Sequence, residues 1–111
     1  MMNGWGTLTG EASYILSSLV HTKEEDGSYG VFNHFSYSNP DIDALIEQAI
    51  GTLDENERRS LLEQAMVLTV NDLMAIPIVN LSAIWAGNTD VATYRPRADE
   101  DTVAINADPA M

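Results

Sequence analysis

Hydrophobic residues recur at helical spacing in two stretches near the middle of the chain. In the first stretch they follow the i, i+3, i+4, i+7 and i+8 positions of one helix face: Ile42, Leu45, Ile46, Ala49 and Ile50. In the second stretch the corresponding face is formed by Leu61, Leu62, Ala65, Met66 and Thr69. Because each spacing directs one stripe toward a core and the polar positions toward solvent, the pattern predicts two consecutive amphipathic helices.

Both helices carry start signals. Asn39 is suited to cap the first helix, and Pro40 suits its first position, where a missing N–H removes no hydrogen bond. Asp54, followed three residues later by Glu57, is typical of a capping box at the start of the second helix. We expect Gly51 to stop the first helix. The second should end near residue 72.

The remaining elements are shorter. A helix is predicted over residues 11–20 and a polar loop over residues 22–30. The β-branched segment 75–81 predicts a strand, which Pro77 limits to an edge, a strand start or a bulge. Further strand predictions are the end of a strand at residues 2–6 and short strands at 83–86 and 102–106. Residues 107–111 are predicted to fray.

The amino-acid composition excludes some classes of binding partner for this chain. The 111 residues suit one modest domain, and 45% of them are hydrophobic. With 17 acidic and 5 basic residues and a net charge of -12, the chain has no basic footprint for nucleic acid or for an anionic membrane surface. No run reaches the length of a membrane span, and no stretch has the layout of a signal peptide. The absence of cysteine excludes disulfides and thiolate sites.

No arrangement typical of catalysis or metal binding emerges. Asp41 and Asp43 are two positions apart on a helix, so they point about 200° apart and do not converge on one substrate. His21 and His34 are thirteen residues apart, which matches no specific metal-ligand spacing. We expect the helix dipole to account for His21. No catalytic residue, cofactor or metal is predicted.

Two adjacent arginines lie near the start of the second predicted helix. Arg58 and Arg59 lie about one helical turn from Glu55 and Glu63. This spacing predicts exposed ion pairs within the helix, each contributing roughly 0.3–0.5 kcal/mol. No ligand role is expected for either arginine.

An ordered set of motifs resembles a known family. These motifs are Gly4-Trp5, Tyr37-Ser38-Asn39-Pro40, Asp43-Ala44-Leu45-Ile46, Asp54, Glu57-Arg58, Leu61-Leu62, Ala65 and Ile76-Pro77-Ile78. Their order and spacing resemble the C-terminal lobe of the extracellular solute-binding proteins, family 5, of peptide, nickel and related ABC importers. The resemblance runs from residue 2 to about residue 105. The run Thr9-Gly10-Glu11-Ala12 is similar to the subgroup containing glutathione-binding and related short-peptide members.

The resemblance implies a fold and a function. The fold class would be α/β, the C-terminal part of a type II periplasmic-binding-protein-like lobe, with about three helices packed on a few short strands. Residues 1–111 would form a single partial domain of a larger two-lobe protein. That protein would not be an enzyme; it would capture a peptide-like solute in the periplasm and deliver it to ABC permease subunits, without spanning the membrane itself. The alternatives are the solute-sensing domain of a regulator and a hydrolase with a borrowed solute-binding fold.

The resemblance also implies where a solute would bind. It places the segment from Trp5 to Thr9 at the cleft wall and brings the chain past the cleft rim again near Trp85. The predicted ligand-binding residues are Trp5, Gly6, Thr7, Leu8, Thr9, Glu11 and Trp85. The alternative for both tryptophans is packing in a hydrophobic core.

One predicted site residue departs from the pattern of the peptide-binding members. Leu8 stands where those members carry an aspartate that pairs with the α-amino group of the peptide. A leucine accepts no hydrogen bond, so this anchor is missing. Glu11 is a candidate substitute, or alternatively a first-turn residue that stabilises its own helix.

Overall fold

The computed structural model describes residues 4–6, 9–80, 84, 86–88, 90–95 and 107–109. The chain divides into two compact units. The larger unit is Thr7–Pro77, and the smaller unit combines Met1–Gly6 with Ile78–Met111. The helices belong to the larger unit and the described strands to the smaller one, so the predicted mixed class of three helices and short strands is confirmed.

The larger unit is helical. Helix α1 (Ser13–Ile15) continues directly into a π-helical segment (Leu16–Val20), and α2 (Pro40–Gly51) and α3 (Glu55–Asn71) pack against each other as a hairpin. Their core consists of Leu16, Val20, Ile42, Ile46, Ala49, Leu61, Leu62 and Ala65. Most of the two predicted stripes is therefore buried, as expected from their spacing, although Ile50 remains 41% exposed.

The predicted starts of the two long helices are confirmed. Asn39 Oδ1 accepts hydrogen bonds from the backbone N–H groups of Asp41 at 3.0 Å and Ile42 at 3.5 Å. Asp54 Oδ1 accepts from the N–H groups of Asn56 and Glu57, at 3.0 and 2.9 Å. Each cap satisfies N–H groups that have no partner within the helix. Helix α3 ends one residue before 72, as predicted.

The first helix begins two residues later than predicted and ends at residue 20, as predicted. It begins at Ser13, because Glu11 N–H is bonded to Thr9 Oγ1 at 3.3 Å and so belongs to a turn before the helix. It ends in a wider π-helical turn, in which His21 N–H donates to the Leu16 carbonyl at 2.9 Å. The alternative interpretation of Glu11, as a residue in the first turn of its helix, is therefore wrong.

Three of the strand predictions are not confirmed in the described residues. Residues 75–80 form no strand, because no described segment provides the ladder hydrogen bonds and Pro77 has no N–H to donate. Gly4–Gly6 and the described residues Ile84 and Ala86 are also not in strands. The predicted strand 102–106 lies outside the described residues.

The smaller unit contains an antiparallel strand pair. Strand β1 (Ala92–Tyr94) pairs with β2 (Ala107–Pro109), and Thr93 lies opposite Asp108. The prediction that the chain frays from residue 107 is therefore wrong for residues 107–109, because ladder hydrogen bonds to β1 hold them. An Arg95 Nη2 to Asp108 Oδ2 contact of 3.6 Å spans the same strands. Within the described part of the chain, no helix has the length and apolar content needed to cross a membrane.

Candidate functional site

The structure brings together two of the seven predicted ligand-binding residues. Thr9 and Glu11 lie side by side in the larger unit, joined by the turn that precedes α1. Trp5, half-buried, and Gly6, exposed, belong to the smaller unit. Thr7, Leu8 and Trp85 lie outside the described residues. Thr9 and Glu11 are therefore the two described site residues that lie in the same unit.

Glu11 is bound to α3 by a two-point ion pair. Arg58 Nε donates to Glu11 Oε1 at 2.6 Å, and Arg58 Nη2 donates to Oε2 at 2.7 Å. Ser13 Oγ–H donates to the same Oε2 at 2.6 Å. These hydrogen bonds, first from Arg58 and then from Ser13, lower the pKa of Glu11 from its usual 4.5 to about 2. The carboxylate is therefore ionised and fixed in orientation at neutral pH.

This pair corrects the prediction for Arg58. The expected partners were the glutamates one turn away on the same helix, but Arg58 bonds instead to a residue 47 positions earlier in the chain. The planar guanidinium fork matches a carboxylate at two atoms at once, which a pair of side chains on one helix surface rarely allows. In the described residues Arg59 makes no ion pair with Glu55 or Glu63.

An open depression of about 670 Å³ lies beside this ion pair. The segment before α1, the α2–α3 turn and one face of α3 line it, through Gly10, Glu11, Ala12, Thr52, Leu53, Glu55, Arg58, Arg59, Leu62, Glu63 and Met66. Charged groups of both signs stand beside apolar side chains. The described lining contains no histidine or cysteine.

His21 is a buried hydrogen-bonding residue. Its Nδ1 lies 2.7 Å from the Thr22 carbonyl oxygen, and its Nε2 lies 3.3 Å from Glu47 Oε1. Its ring stacks on Tyr29 with ring centroids 4.2 Å apart. His21 directly follows the helical segment that ends at Val20, and its side chain also contacts Glu47 of α2 and Tyr29 of the loop. No group of side chains suited to hold a metal ion occurs among the described residues.

The loop between α1 and α2 is tightly held, which the sequence did not indicate. The Gly30 and Phe32 N–H groups donate to the Ser17 and Ser18 carbonyls at 2.8 and 2.9 Å. The buried Asn33 donates from Nδ2 to the His21 and Tyr37 carbonyls and accepts from Tyr37 N–H. A lone asparagine in a polar loop gives no sequence signal of such a role.

The Tyr-Ser-Asn-Pro motif has a structural explanation in the same unit. Tyr37 Oη–H and Asn39 Nδ2–H both donate to Asp72 Oδ2 at 2.7 Å. The motif therefore ties the start of α2 to the end of α3. Burial first, and the hydrogen bond to the Asp72 carboxylate second, raise the pKa of Tyr37 to about 12. The same hydrogen bonds lower the pKa of Asp72.

The chain is similar to curated binding proteins. It is 32% identical over 92 residues to the glutathione-binding protein GsiB of Shigella dysenteriae and 30% identical over 92 residues to GsiB of Escherichia coli, with 74% of the chain covered in each case. It is 31% identical over 77 residues, covering 69% of the chain, to the heme-binding protein A of Haemophilus influenzae. No protein-family model and no solved structure matches the chain.

These relatives are extracellular solute-binding proteins of family 5, and the chain belongs to that family. The predicted resemblance is thereby confirmed. The chain spans 18% of the length of the GsiB relatives and 13% of the heme-binding relative. The mixed helix and strand content agrees with part of a type II periplasmic-binding-protein lobe.

Proposed function

We propose that this chain is part of the solute-binding component of an ABC importer, which captures a peptide-like solute between two lobes. The observation that carries the proposal is the 32% identity over 92 residues to a glutathione-binding protein, since glutathione is itself a short peptide. The protein would act in the periplasm, and closure of the lobes over the solute would create the form that docks on permease subunits.

Within this proposal the chain contributes one wall of the solute site. The residues are those predicted from the sequence: Trp5, Gly6, Thr7, Leu8, Thr9, Glu11 and Trp85. The open depression beside Glu11 supports this role, because it combines charged and apolar groups in one concave surface. The protein would bind and release its solute chemically unchanged.

The missing aspartate bears on how the solute is held. Leu8 accepts no hydrogen bond, and the Glu11 carboxylate is already bonded at both oxygens to Arg58. Leu8 is therefore not suited to pair with a free ammonium group, and the charge of Glu11 is already paired with that of Arg58. We propose that the solute is held at this wall by backbone groups and apolar contacts, and that any ammonium group it carries is bound elsewhere.

Native mass spectrometry of the full-length protein tests the proposal. The panel contains reduced glutathione, the dipeptide Ala-Ala, hemin and a nickel–histidine complex. A one-to-one adduct with glutathione or Ala-Ala, at unchanged solute mass, is the expected result. Adducts with hemin or the nickel complex alone would overturn the peptide-like assignment, and a solute of altered mass would overturn the non-enzymatic one.

The relative named for heme supports hemin as the second solute to test. The His21 side chain is buried, at 1% exposure, and its ring nitrogens lie against the Thr22 carbonyl and Glu47, so it is not available to ligate heme iron. Among the two histidines, only His34 is exposed. Hemin binding that persists in a His34→Ala variant would show that neither histidine is needed for it.

A solute-sensing domain of a regulator is the alternative from another class. The gene that encodes the full-length protein separates the two functions. A signal peptide ahead of the solute-binding region would support the importer, whereas a DNA-binding or signalling domain fused to it would support the regulator.

A further inference from the structure

The segment from Thr9 to Ala12 is short and carries two predicted solute contacts. Within the segment, Glu11 N–H is bonded to Thr9 Oγ1 at 3.3 Å, which fixes a local turn. The Ala12 carbonyl accepts the Leu16 N–H at 3.0 Å and so leads the segment into the first helix. The ion pair with Arg58 joins this turn to a distant element of the same unit.

Arg58 projects from a rigid platform. It lies in the first turns of the 17-residue helix α3, whose start is capped by Asp54. Leu61 and Leu62, on the following turn, are buried in the core. The position of the guanidinium is therefore set by the packed helix hairpin.

The contact between Arg58 and Glu11 specifies orientation. Two parallel N–H···O hydrogen bonds fix the plane of the carboxylate, whereas a single contact leaves it free to rotate. Ser13 Oγ–H adds a third hydrogen bond on Oε2, and Arg58 Nη2 lies 3.5 Å from the same hydroxyl. A lysine at position 58 would supply the charge but not the fork.

Both side chains remain partly exposed, at 30% for Arg58 and 38% for Glu11. Ion pairs at this exposure contribute little to the free energy of unfolding. The main effect of the pair is therefore local. The pair orders the wall of the depression that Gly10, Glu11 and Ala12 form.

We propose that Arg58 is a positioning residue for solute binding, which acts by holding Glu11 and with it the wall formed by Gly10, Glu11 and Ala12. The inference rests on the proposed solute-binding function and adds to it a residue outside the predicted site. Binding is tightest when such a wall is ordered before the solute arrives, because the cost of ordering is then already met.

Two variants of the full-length protein test the proposal against a matched control. Arg58→Gln removes the charge and the fork, and Arg58→Lys keeps the charge alone. The control is Arg95→Gln, which removes an arginine whose contact with Asp108 is longer and one-point, at 3.6 Å. The probe is reduced glutathione, or Ala-Ala if the wild-type protein binds it more tightly.

We expect Arg58→Gln to increase the rate of amide hydrogen exchange at residues 10–12 by about tenfold. We also expect it to raise the dissociation constant of the probe by about tenfold. Exchange in the buried middle of α3, at residues 61–69, should stay within about twofold of wild type. Arg58→Lys should weaken binding of the probe nearly as much as Arg58→Gln does, because the guanidinium fork is what orients the carboxylate. The control should change neither quantity.

The outcomes separate the inference from the proposed function. If wild type binds the probe and Arg58→Gln binds it as tightly as the control does, the positioning role is overturned and the function stands. Full rescue by Arg58→Lys would also overturn it, since charge alone would then suffice. If wild type binds neither peptide-like probe, the proposed function fails and takes the inference with it.

Discussion

Arg58 Nε lies 2.6 Å from Glu11 Oε1, so the first turn of α3 is bonded to the turn that precedes α1 across 47 residues of sequence. This ion pair joins the best-described part of the predicted solute site to the packed core of the larger unit. It also gives Glu11 a role outside α1, although the position of Glu11 in the sequence had suited the first turn of that helix.

The ion pair should make stability depend on pH in the acidic range. The pKa of Glu11 falls from 4.5 to about 2 on folding, so its contribution is fully present above pH 4.5 and is lost as the pH falls toward 2. Because both side chains are partly exposed, we expect Glu11→Gln to cost only about 1 kcal/mol at pH 7. Urea unfolding of both proteins at pH 7, 4 and 3 measures this difference. A difference that stays constant across that range would contradict the prediction.

Tyr37 should titrate well above the pH range that is ordinary for a tyrosine. Burial and its hydrogen bond to Asp72 raise its pKa to about 12, so its contribution to stability is complete below pH 10 and is lost as the pH rises through 12. Absorbance at about 295 nm follows phenolate formation, which ordinarily has a pKa near 10. We expect Tyr37→Phe to remove the latest phase of that titration. The interpretation fails if the variant instead loses a phase near pH 10.

Gly30 and Gly27 form a matched pair for testing how tightly the loop packs. Both have positive φ, at +62° and +76°. A Cβ on Gly30 would lie 2.6 Å from the His21 carbonyl oxygen, whereas a Cβ on Gly27 would meet nothing within 4 Å. Gly27→Ala should therefore cost about 1 kcal/mol from backbone strain alone. Gly30→Ala should cost roughly 3 kcal/mol or more.

Urea unfolding followed by far-ultraviolet circular dichroism measures both glycine variants through the helices of the larger unit. Equal costs for the two substitutions would show that the loop moves away from His21 without penalty. The close packing described for this loop would then be wrong.

Asn33 should be among the most sensitive polar residues in the larger unit. It is buried at 3% exposure, and Asn33→Ala removes the partners of two carbonyls and one N–H. Leaving these groups without partners should cost about 3 kcal/mol in unfolding free energy. The exposed Asn56 is the control, and Asn56→Ala should stay within about 0.5 kcal/mol of wild type. Similar stability of the two variants would refute the role of Asn33.

The sequence was informative where local signals and tertiary packing agree. The caps at Asn39 and Asp54 depend only on neighbouring N–H groups, so short motifs sufficed to predict them. The buried stripes of α2 and α3 followed from periodicity in the same way.

Contacts between distant residues escaped prediction. Nothing in the sequence near Arg58 indicates Glu11 as its partner, and the local glutamates offered a simpler expectation. Strands raise the same difficulty. Segment 75–80 has strand-forming residues but no described ladder partner, whereas residues 107–109, an Ala-Asp-Pro run with low strand propensity, have one.

Isothermal titration calorimetry of the full-length protein tests solute capture most directly. Reduced glutathione and Ala-Ala are titrated in parallel with hemin and the nickel–histidine complex. We predict saturable one-to-one binding of at least one of the two peptides, with weaker or no binding of hemin and the nickel complex. Saturable binding of hemin or the nickel complex, with no heat from either peptide, would contradict it.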